Sequence, residues 1–266
     1  MEHRMFSSFQ RRRLRHKRIF NLISRTWKQY CDMKFTSVLF LTATCISAHA
    51  ATLLTDDFTY ADGSLVPNGG WANHSGTAGD LLVESGAVVV QHGTPSEDAN
   101  IGFAAQTAGV LTANFDIVVN DDTSIGGTDS EYFAHFFTSG SFNFRSRLDV
   151  VPATVATFDY TLGISSGGGA AEAALPTDFN FGETVSVSLS FDLDTGTGSL
   201  TVGGDTIIGS VGDTGQSMNA FGLRQSDSSN NESITIDNLE ISHQIPEPSS
   251  ALLGALSLLG LLRRRR

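Results

Sequence analysis

Apolar and polar residues alternate along the middle of the chain with the two-residue period of a β-strand. Between Val185 and Leu193 every second residue is apolar, and the residues between them are serine or aspartate. This period places one face of a strand against a core and the other face in water. Residues 195–198 then form a Thr-Gly-Thr-Gly turn, and Leu200 and Val202 continue the alternation, so the segment predicts a hairpin.

Further strands follow from the same pattern. Residues 81–90 predict a second hairpin around a Glu-Ser-Gly turn, and additional strands are predicted at 115–119, 142–145 and 233–241. Turns rich in glycine and aspartate separate these segments, and no long window has helical spacing. The pattern therefore predicts an all-β fold, a two-sheet jelly-roll sandwich that occupies residues 51–245 as one domain.

Residues 33–50 have the composition of a secretory signal peptide. Lys34 supplies a positive charge, an apolar run follows, and the small residues Ala48 and Ala50 precede the expected cleavage site. The apolar run is shorter than the roughly 20 residues of a transmembrane helix. We therefore expect export by the general secretion machinery and cleavage by signal peptidase after Ala50, with an internal buried segment as the alternative.

The preceding segment, residues 1–32, is strongly basic, with nine lysine and arginine residues. It is either an unusually long positive region of the signal peptide or an extension upstream of the true start. The second interpretation is favoured because Met33 alone opens a signal peptide of ordinary length.

The C-terminal segment, residues 246–266, combines three parts in a fixed order. A Pro-Glu-Pro element is followed by an apolar stretch and a terminal arginine cluster. The residues concerned are Pro246, Glu247, Pro248, Arg263, Arg264, Arg265 and Arg266. The prolines hold the chain extended, the apolar stretch is suited to a short hydrophobic helix in a membrane, and the arginines resist translocation.

This layout resembles the PEP-CTERM sorting signal. The resemblance implies that Pro-Glu-Pro is the recognition element, that the arginines retain the tail, and that an exosortase-type enzyme processes it. It also implies transient insertion in the inner membrane of a Gram-negative bacterium that makes exopolysaccharide and biofilm, and delivery to the cell surface or beyond. The alternative is a hydrophobic anchor that is not processed.

Two short motifs at the ends of the domain carry a second resemblance. Asp56, Asp57 and Phe58 precede Gly69-Gly70-Trp71, and residues 236–241 close the domain with Ile-Asp-Asn-Leu-Glu-Ile. These motifs resemble the first and last strands of concanavalin-A-like, or laminin-G-like, jelly rolls. The resemblance implies a fold associated with carbohydrate binding, in which the final strand pairs beside the first.

Charge is divided sharply along the chain. The block 51–245 holds 25 acidic residues against three basic ones, for a net charge of −22. The three basic residues are Arg145, Arg147 and Arg224. This balance excludes a nucleic-acid-binding domain and argues against adhesion to anionic lipid. Cys31 and Cys45 lie outside the block, so it contains no disulfide, thiolate metal site or cysteine nucleophile.

Four residues are candidates for carbohydrate binding. Trp71 follows two glycines and precedes His74, so it is a candidate stacking platform in a loop, with a core or sheet-edge position as the alternative. Arg145 and Arg147 alternate on one strand face, where they are a candidate clamp for an acidic sugar. The alternative is that they offset neighbouring carboxylates.

Calcium is the favoured cofactor, because hard cations prefer several oxygen ligands. The candidate loop contains Asp227, Asn230 and Glu232, and the alternative is a solvated turn. The loop at 192–196 does not complete an EF-hand, because position 203 is glycine. The histidines of the block lack the spacing of zinc ligands.

Signals for catalysis are weak. Residues 235–240 are the nearest string to the Glu-x-Asp-x-x-Glu strand of glucanases on this fold, but Thr235 stands where the nucleophilic glutamate belongs, ahead of Asp237 and Glu240. Glu131 near His135 is a second candidate. We therefore expect a non-enzymatic exported protein, with a carbohydrate-binding module as the alternative and a glycoside hydrolase as a disfavoured second alternative.

Overall fold

The computed structural model describes residues 50–91, 96–120, 131–165, 170–210, 214–225 and 233–245. Within these ranges the chain forms sixteen strands and one short 3-10 turn, Asn68–Gly70. The strands are β1 Ala51–Asp56, β2 Gly63–Ser64, β3 Ala72–Ser75, β4 Leu82–Glu84, β5 Ala87–Gln91, β6 Asp98–Gln106, β7 Val110–Asn120, β8 Glu131–Phe137, β9 Arg145–Pro152, β10 Tyr160–Ser165, β11 Ala173–Ala174, β12 Thr184–Asp192, β13 Thr197–Val202, β14 Asp205–Ser210, β15 Met218–Arg224 and β16 Ser233–Gln244.

The strands form two antiparallel sheets. A nine-stranded sheet has the order β14-β13-β12-β7-β16-β5-β4-β2, and β1 also pairs with β16. A seven-stranded sheet has the order β11-β10-β9-β8-β15-β6-β3. The predicted all-β, two-sheet jelly-roll sandwich is confirmed.

The core lies between the two sheets and contains alternate residues of both. In β12, Val187, Leu189 and Phe191 are buried, while the intervening residues remain more exposed. Phe115 of the nine-stranded sheet meets Phe221 of the seven-stranded sheet, with 5.8 Å between ring centroids. Burial of each such side chain contributes about 1.5–3 kcal/mol, and the period-2 pattern in the sequence supplies these side chains strand by strand.

Two predicted hairpins are present, and one predicted strand differs. β12 pairs with β13, and β4 pairs with β5. In the predicted strand 142–145, only Arg145 is part of a strand, because Phe142 and Asn143 follow a turn at Thr138–Ser141. Asn143 N donates to Ser141 Oγ, so this backbone N–H is bonded within the turn region and not to a neighbouring strand.

The final strand occupies the centre of its sheet beside the first, as the resemblance implied. β16 pairs with β7 along most of its length, with β5 at its beginning and with β1 at its end. In the last of these ladders, Asp56 is the partner of Leu239 and Ala51 is the partner of His243.

A buried carboxylate connects β1 to the segment that follows. Asp56 accepts hydrogen bonds from Trp71 Nε1 at 2.8 Å, from Tyr60 Oη at 2.9 Å and from Phe58 N at 2.9 Å. Gly69 has φ 58°, and a Cβ there would lie 1.8 Å from Tyr60 Oη. The motif residues at the start of the domain thus form one hydrogen-bonded unit that requires glycine in the loop.

No helix in the described ranges is long and apolar enough to cross a membrane. The predicted signal peptide up to Ala48 and the predicted C-terminal hydrophobic helix fall outside the described residues. Ala50 is exposed and directly precedes β1.

Candidate functional site

The three arginines of the domain lie on the outer face of the seven-stranded sheet. On β9, Leu148 and Val150 belong to the core, so Arg145 and Arg147 face the other side of the sheet. Arg224 lies two strands away, at the end of β15. The sheet order β9-β8-β15 therefore places the whole formal positive charge of an acidic domain on one face.

A tyrosine on the intervening strand β8 separates two of these arginines. The Cζ atoms of Arg147 and Arg224 each lie 4.4 Å from the centroid of the Tyr132 ring. Both contacts fall within the range of cation–π attraction, which is about 0.5–2 kcal/mol per contact. Burial raises the pKa of Tyr132, and the two guanidinium groups partly oppose that shift.

Carboxylates accompany the arginines on this face. Arg224 forms ion pairs with Asp98, at 3.8 Å, and with Glu131, at 3.5 Å. Burial raises the pKa of Asp98, while the hydrogen bond from Ser75 and the charge of Arg224 act in the opposite direction. Asp149 is fully buried and accepts a hydrogen bond of 2.8 Å from Ser165. Arg224 is thus engaged by two carboxylates, while Asp149 is bound within the sheet.

Aromatic rings continue the face beyond the charged groups. His135 packs on Phe144 with 4.1 Å between ring centroids, and His74 lies 4.9 Å from Phe142. Phe142 also contacts Phe144, and its side chain is 72 % exposed. Phe142 is thus an exposed ring that packs on two half-buried rings, His74 and Phe144, and it offers an apolar surface near the arginine and carboxylate groups.

His135 is almost completely buried on this face. Burial holds its pKa well below the ordinary value, and the positive charges of Arg224 and Arg147 act in the same direction. A Cβ at Gly222, on the neighbouring strand β15, would lie 2.7 Å from His135 Nε2. Glycine at this position therefore provides the space that the imidazole occupies.

The structure brings together three of the four residues proposed for carbohydrate binding. His74, Arg145 and Arg147 lie on the outer face, and both arginines are largely buried there. Arg145 Nη1 donates to the carbonyl of Phe144 at 2.8 Å. Trp71 is only 2 % exposed and faces the core, where its indole N–H is bound to Asp56, so it has no free ring face for stacking.

Sequence reasoning did not single out Tyr132 or Phe142 and gave Arg224 no role in a site. These residues come from β8, from the turn before β9 and from β15, and only the sheet order brings them together. The one available signal was that Arg224 is the third cation in a block with 25 acidic residues.

Several other predicted residues fall outside the described ranges. They are the sorting residues Pro246, Glu247, Pro248, Arg263, Arg264, Arg265 and Arg266, the cleavage-site residue Ala48, and the calcium candidates Asp227, Asn230 and Glu232. Among the residues that the structure describes, no group of three or more histidine, cysteine, aspartate or glutamate side chains is placed to hold a metal ion.

The carboxylates considered for glycoside hydrolysis are on different sheets. Glu131 is at the start of β8 in the seven-stranded sheet and pairs with Arg224. Asp237 and Glu240 lie on β16 of the nine-stranded sheet, where Asp237 accepts from the backbone of Asn238 and Glu240 accepts from a threonine hydroxyl of β1. Each of these three carboxylates is therefore already bonded to a neighbouring group of the fold.

A family model, described as the PEP-CTERM protein-sorting motif, matches residues 244–266. The chain therefore carries this motif at its C-terminus, which indicates export, sorting to the cell surface and processing by exosortase-type machinery. No curated protein sequence matches the chain significantly.

Several solved structures are similar to this chain at low sequence identity. A sialidase is 15% identical with a TM-score of 0.49, over 73% of this chain and 19% of the sialidase chain. A peanut lectin with a nine-residue peptide is 12% identical with a TM-score of 0.48, over 74% of this chain and 99% of the lectin. A basic winged bean lectin with Tn-antigen is 12% identical with a TM-score of 0.49, over 74% of this chain and 100% of the lectin. The chain thus spans about a fifth of the length of the sialidase.

Proposed function

We propose that this chain is a non-enzymatic protein of the cell surface or extracellular matrix, associated with the exopolysaccharide or biofilm of a Gram-negative bacterium. Signal peptidase cuts after Ala50, the C-terminal segment holds the precursor transiently in the inner membrane, and an exosortase-type enzyme then removes the tail. The observation that carries this proposal is the sorting motif at residues 244–266.

The net charge of the domain and the positions of its boundaries support the proposal. A net charge of −22 over residues 51–245 favours solubility and repels acidic polymers unless a cation such as calcium bridges them. β1 begins at Ala51 and β16 ends at Gln244, so the expected cleavage site and the sorting motif lie at the ends of the folded strands.

The test is to fractionate native host cells that produce the protein with either an unaltered or an altered C-terminal tail, and to compare where the protein is found. Replacing Pro246, Glu247 and Pro248 by alanine should cause the tail-bearing precursor to accumulate in the inner membrane. Pro176→Ala changes an exposed proline of the domain and serves as the control, since it should leave processing unchanged. Equal processing of the altered and unaltered tails would refute the proposal.

A second candidate function is carbohydrate binding at the outer face of the seven-stranded sheet. Its specific support is the exposed Phe142 ring, which lies beside rings that connect it to Tyr132 and Arg224. Aromatic faces pack on the apolar faces of sugars, and guanidinium groups bind carboxylates, so the arrangement favours glycans that contain uronic acids.

A glycan array with and without calcium tests this candidate. Phe142→Ala and Arg224→Gln should each weaken binding of acidic glycans by roughly tenfold, the equivalent of about 1.4 kcal/mol. Phe158→Ala removes a different exposed aromatic ring and should leave binding unchanged. Absence of any glycan signal from the parent protein would eliminate this candidate and leave the sorting proposal intact.

A further inference from the structure

The beginning of β1 and the end of β16 lie side by side in the nine-stranded sheet. Ala51, the first residue of β1, is the register partner of His243, near the end of β16. Directly paired antiparallel residues have Cα atoms about 4.5–5.5 Å apart. The chain therefore enters the domain from the signal peptide and leaves it toward the sorting motif at the same place.

The domain and the sorting motif are joined with almost no linker. Gln244, the last residue of β16, is the register partner of Val110 on β7. Pro246 follows two residues later, and two extended residues span at most about 7 Å. The family match begins at Gln244 itself, so the matched motif overlaps the end of the strand.

The end of β16 is held from both sides. His243 is paired with Leu111 on β7 and with Ala51 on β1, and its Nε2 lies 2.8 Å from the carbonyl oxygen of Ala108. A Cβ at Gly109 would lie 2.5 Å from the carbonyl oxygen of Gln244, which shows how closely the neighbouring loop packs against the strand end. The segment just before the motif is thus part of a central strand.

An enzyme that binds a peptide in extended form uses the backbone hydrogen-bonding groups of that peptide. A cleft that binds Pro246 to Pro248 must come within about 7 Å of Gln244 along the chain, and in the folded domain the sheet already engages the backbone of His243 and Gln244. A cleft that extended over these two residues would need backbone groups that β7 already binds.

We propose that residues 242–244 must detach from β1 and β7 before the tail is cut. This inference rests on the proposed function, namely that an exosortase-type enzyme processes the motif. Local opening of the strand end then controls the rate of tail removal, and pairing of β1 with β16 after export slows it. Processing is fastest on chains in which β1 has not yet paired.

A disulfide between β1 and β16 tests the inference. Thr52 and Ser242 are register partners, both lie away from the core, and their separation as antiparallel partners suits a disulfide. The block 51–245 contains no cysteine, so Thr52→Cys with Ser242→Cys introduces one unambiguous bridge. The matched control is Ser188→Cys with Thr201→Cys, a corresponding outward pair between β12 and β13.

Pulse–chase labelling in the native host measures loss of the tail from each precursor. The β1–β16 bridge should slow tail removal by roughly tenfold or more relative to the control bridge, because it suppresses local opening, and a reductant should restore the rate. Insertion of about six glycine and serine residues between Ile245 and Pro246 should also restore processing of the bridged precursor, because the enzyme then no longer needs the strand end.

Two results would overturn the inference. One is that the bridged precursor loses its tail at the rate of the control. The other is that it remains unprocessed even with the inserted linker, which would show that the bridge acts on export or folding. If the unaltered chain keeps its tail, the proposed function itself fails, and the inference fails with it.

Discussion

Trp71 Nε1 donates a hydrogen bond of 2.8 Å to the carboxylate of Asp56, which lies 15 residues earlier in the chain. The bond connects the end of β1 to the segment before β3 and turns the indole into the core. Within the motif at the start of the domain, Asp56 and Trp71 thus each satisfy the buried polar group of the other.

Trp71→Phe should lower the free energy of unfolding by about 1–3 kcal/mol, because Asp56 loses a donor in a buried position. Asp56→Asn should act in the same direction. The neighbouring Asp57 is exposed, so Asp57→Asn serves as the control and should have a much smaller effect. Urea unfolding followed by circular dichroism measures all three, and equal stabilities of Trp71→Phe and the parent protein would refute this role of the bond.

Stability should fall as the pH rises from about 10 to 12. Tyr60 Oη donates to Asp56, and burial together with that carboxylate raises the pKa of Tyr60 to about 12. The unfolded chain releases this proton near pH 10, so the folded state loses its advantage as the pH rises through this window.

The Tyr60→Phe variant should show a smaller loss of stability over this range of pH. Tyr160 serves as the comparison, because burial also raises its pKa and its contribution should remain in the Tyr60→Phe variant. Urea unfolding at several alkaline pH values provides the measurement. An unchanged pH slope in Tyr60→Phe would contradict the prediction.

Acid should destabilise the fold through His135. Burial depresses the pKa of His135, so the unfolded chain takes up a proton near pH 6.5 while the folded chain does not. The corresponding stability is complete above about pH 6.5 and is lost as the pH falls below that value. His135→Phe keeps a ring but removes the titrating group. The unfolding free energy of this variant should therefore change less between about pH 7.5 and about pH 5.5 than that of the parent protein.

The ring of Tyr132 should contribute more to the stability of the fold than its hydroxyl group. Tyr132→Leu removes the surface that Arg147 and Arg224 both contact, and we expect it to cost about 1–3 kcal/mol of stability. Tyr132→Phe keeps the ring and should cost less than about 1 kcal/mol. Thermal unfolding of both variants is the measurement, and equal losses would show that the guanidinium–ring contacts contribute little.

Local sequence patterns predicted the sheets well because each strand is half-buried. In β12, Val187 and Leu189 alternate with serines, and the resulting period-2 pattern identified both the strand and its hairpin with β13. The segment 142–144 was assigned wrongly, since the alternation there arises from a ring exposed on the outer face and not from a paired strand.

The candidate site was much harder to predict. Trp71 follows two glycines, which is typical of a loop, and its burial depends on a partner 15 residues away. Tyr132 and Arg224 meet only because β8 and β15 are neighbours in the seven-stranded sheet, a long-range pairing that no local pattern records. The charge imbalance of the domain indicated that the arginines were unusual, but not where they lie.

The intact mass of the protein isolated from native cells tests the central claim most directly. The account predicts a species that begins at Ala51 and lacks the terminal arginines, found at the cell surface or in the medium. A full-length chain of 28.4 kDa in the cytosol, with Arg266 still attached, would contradict it.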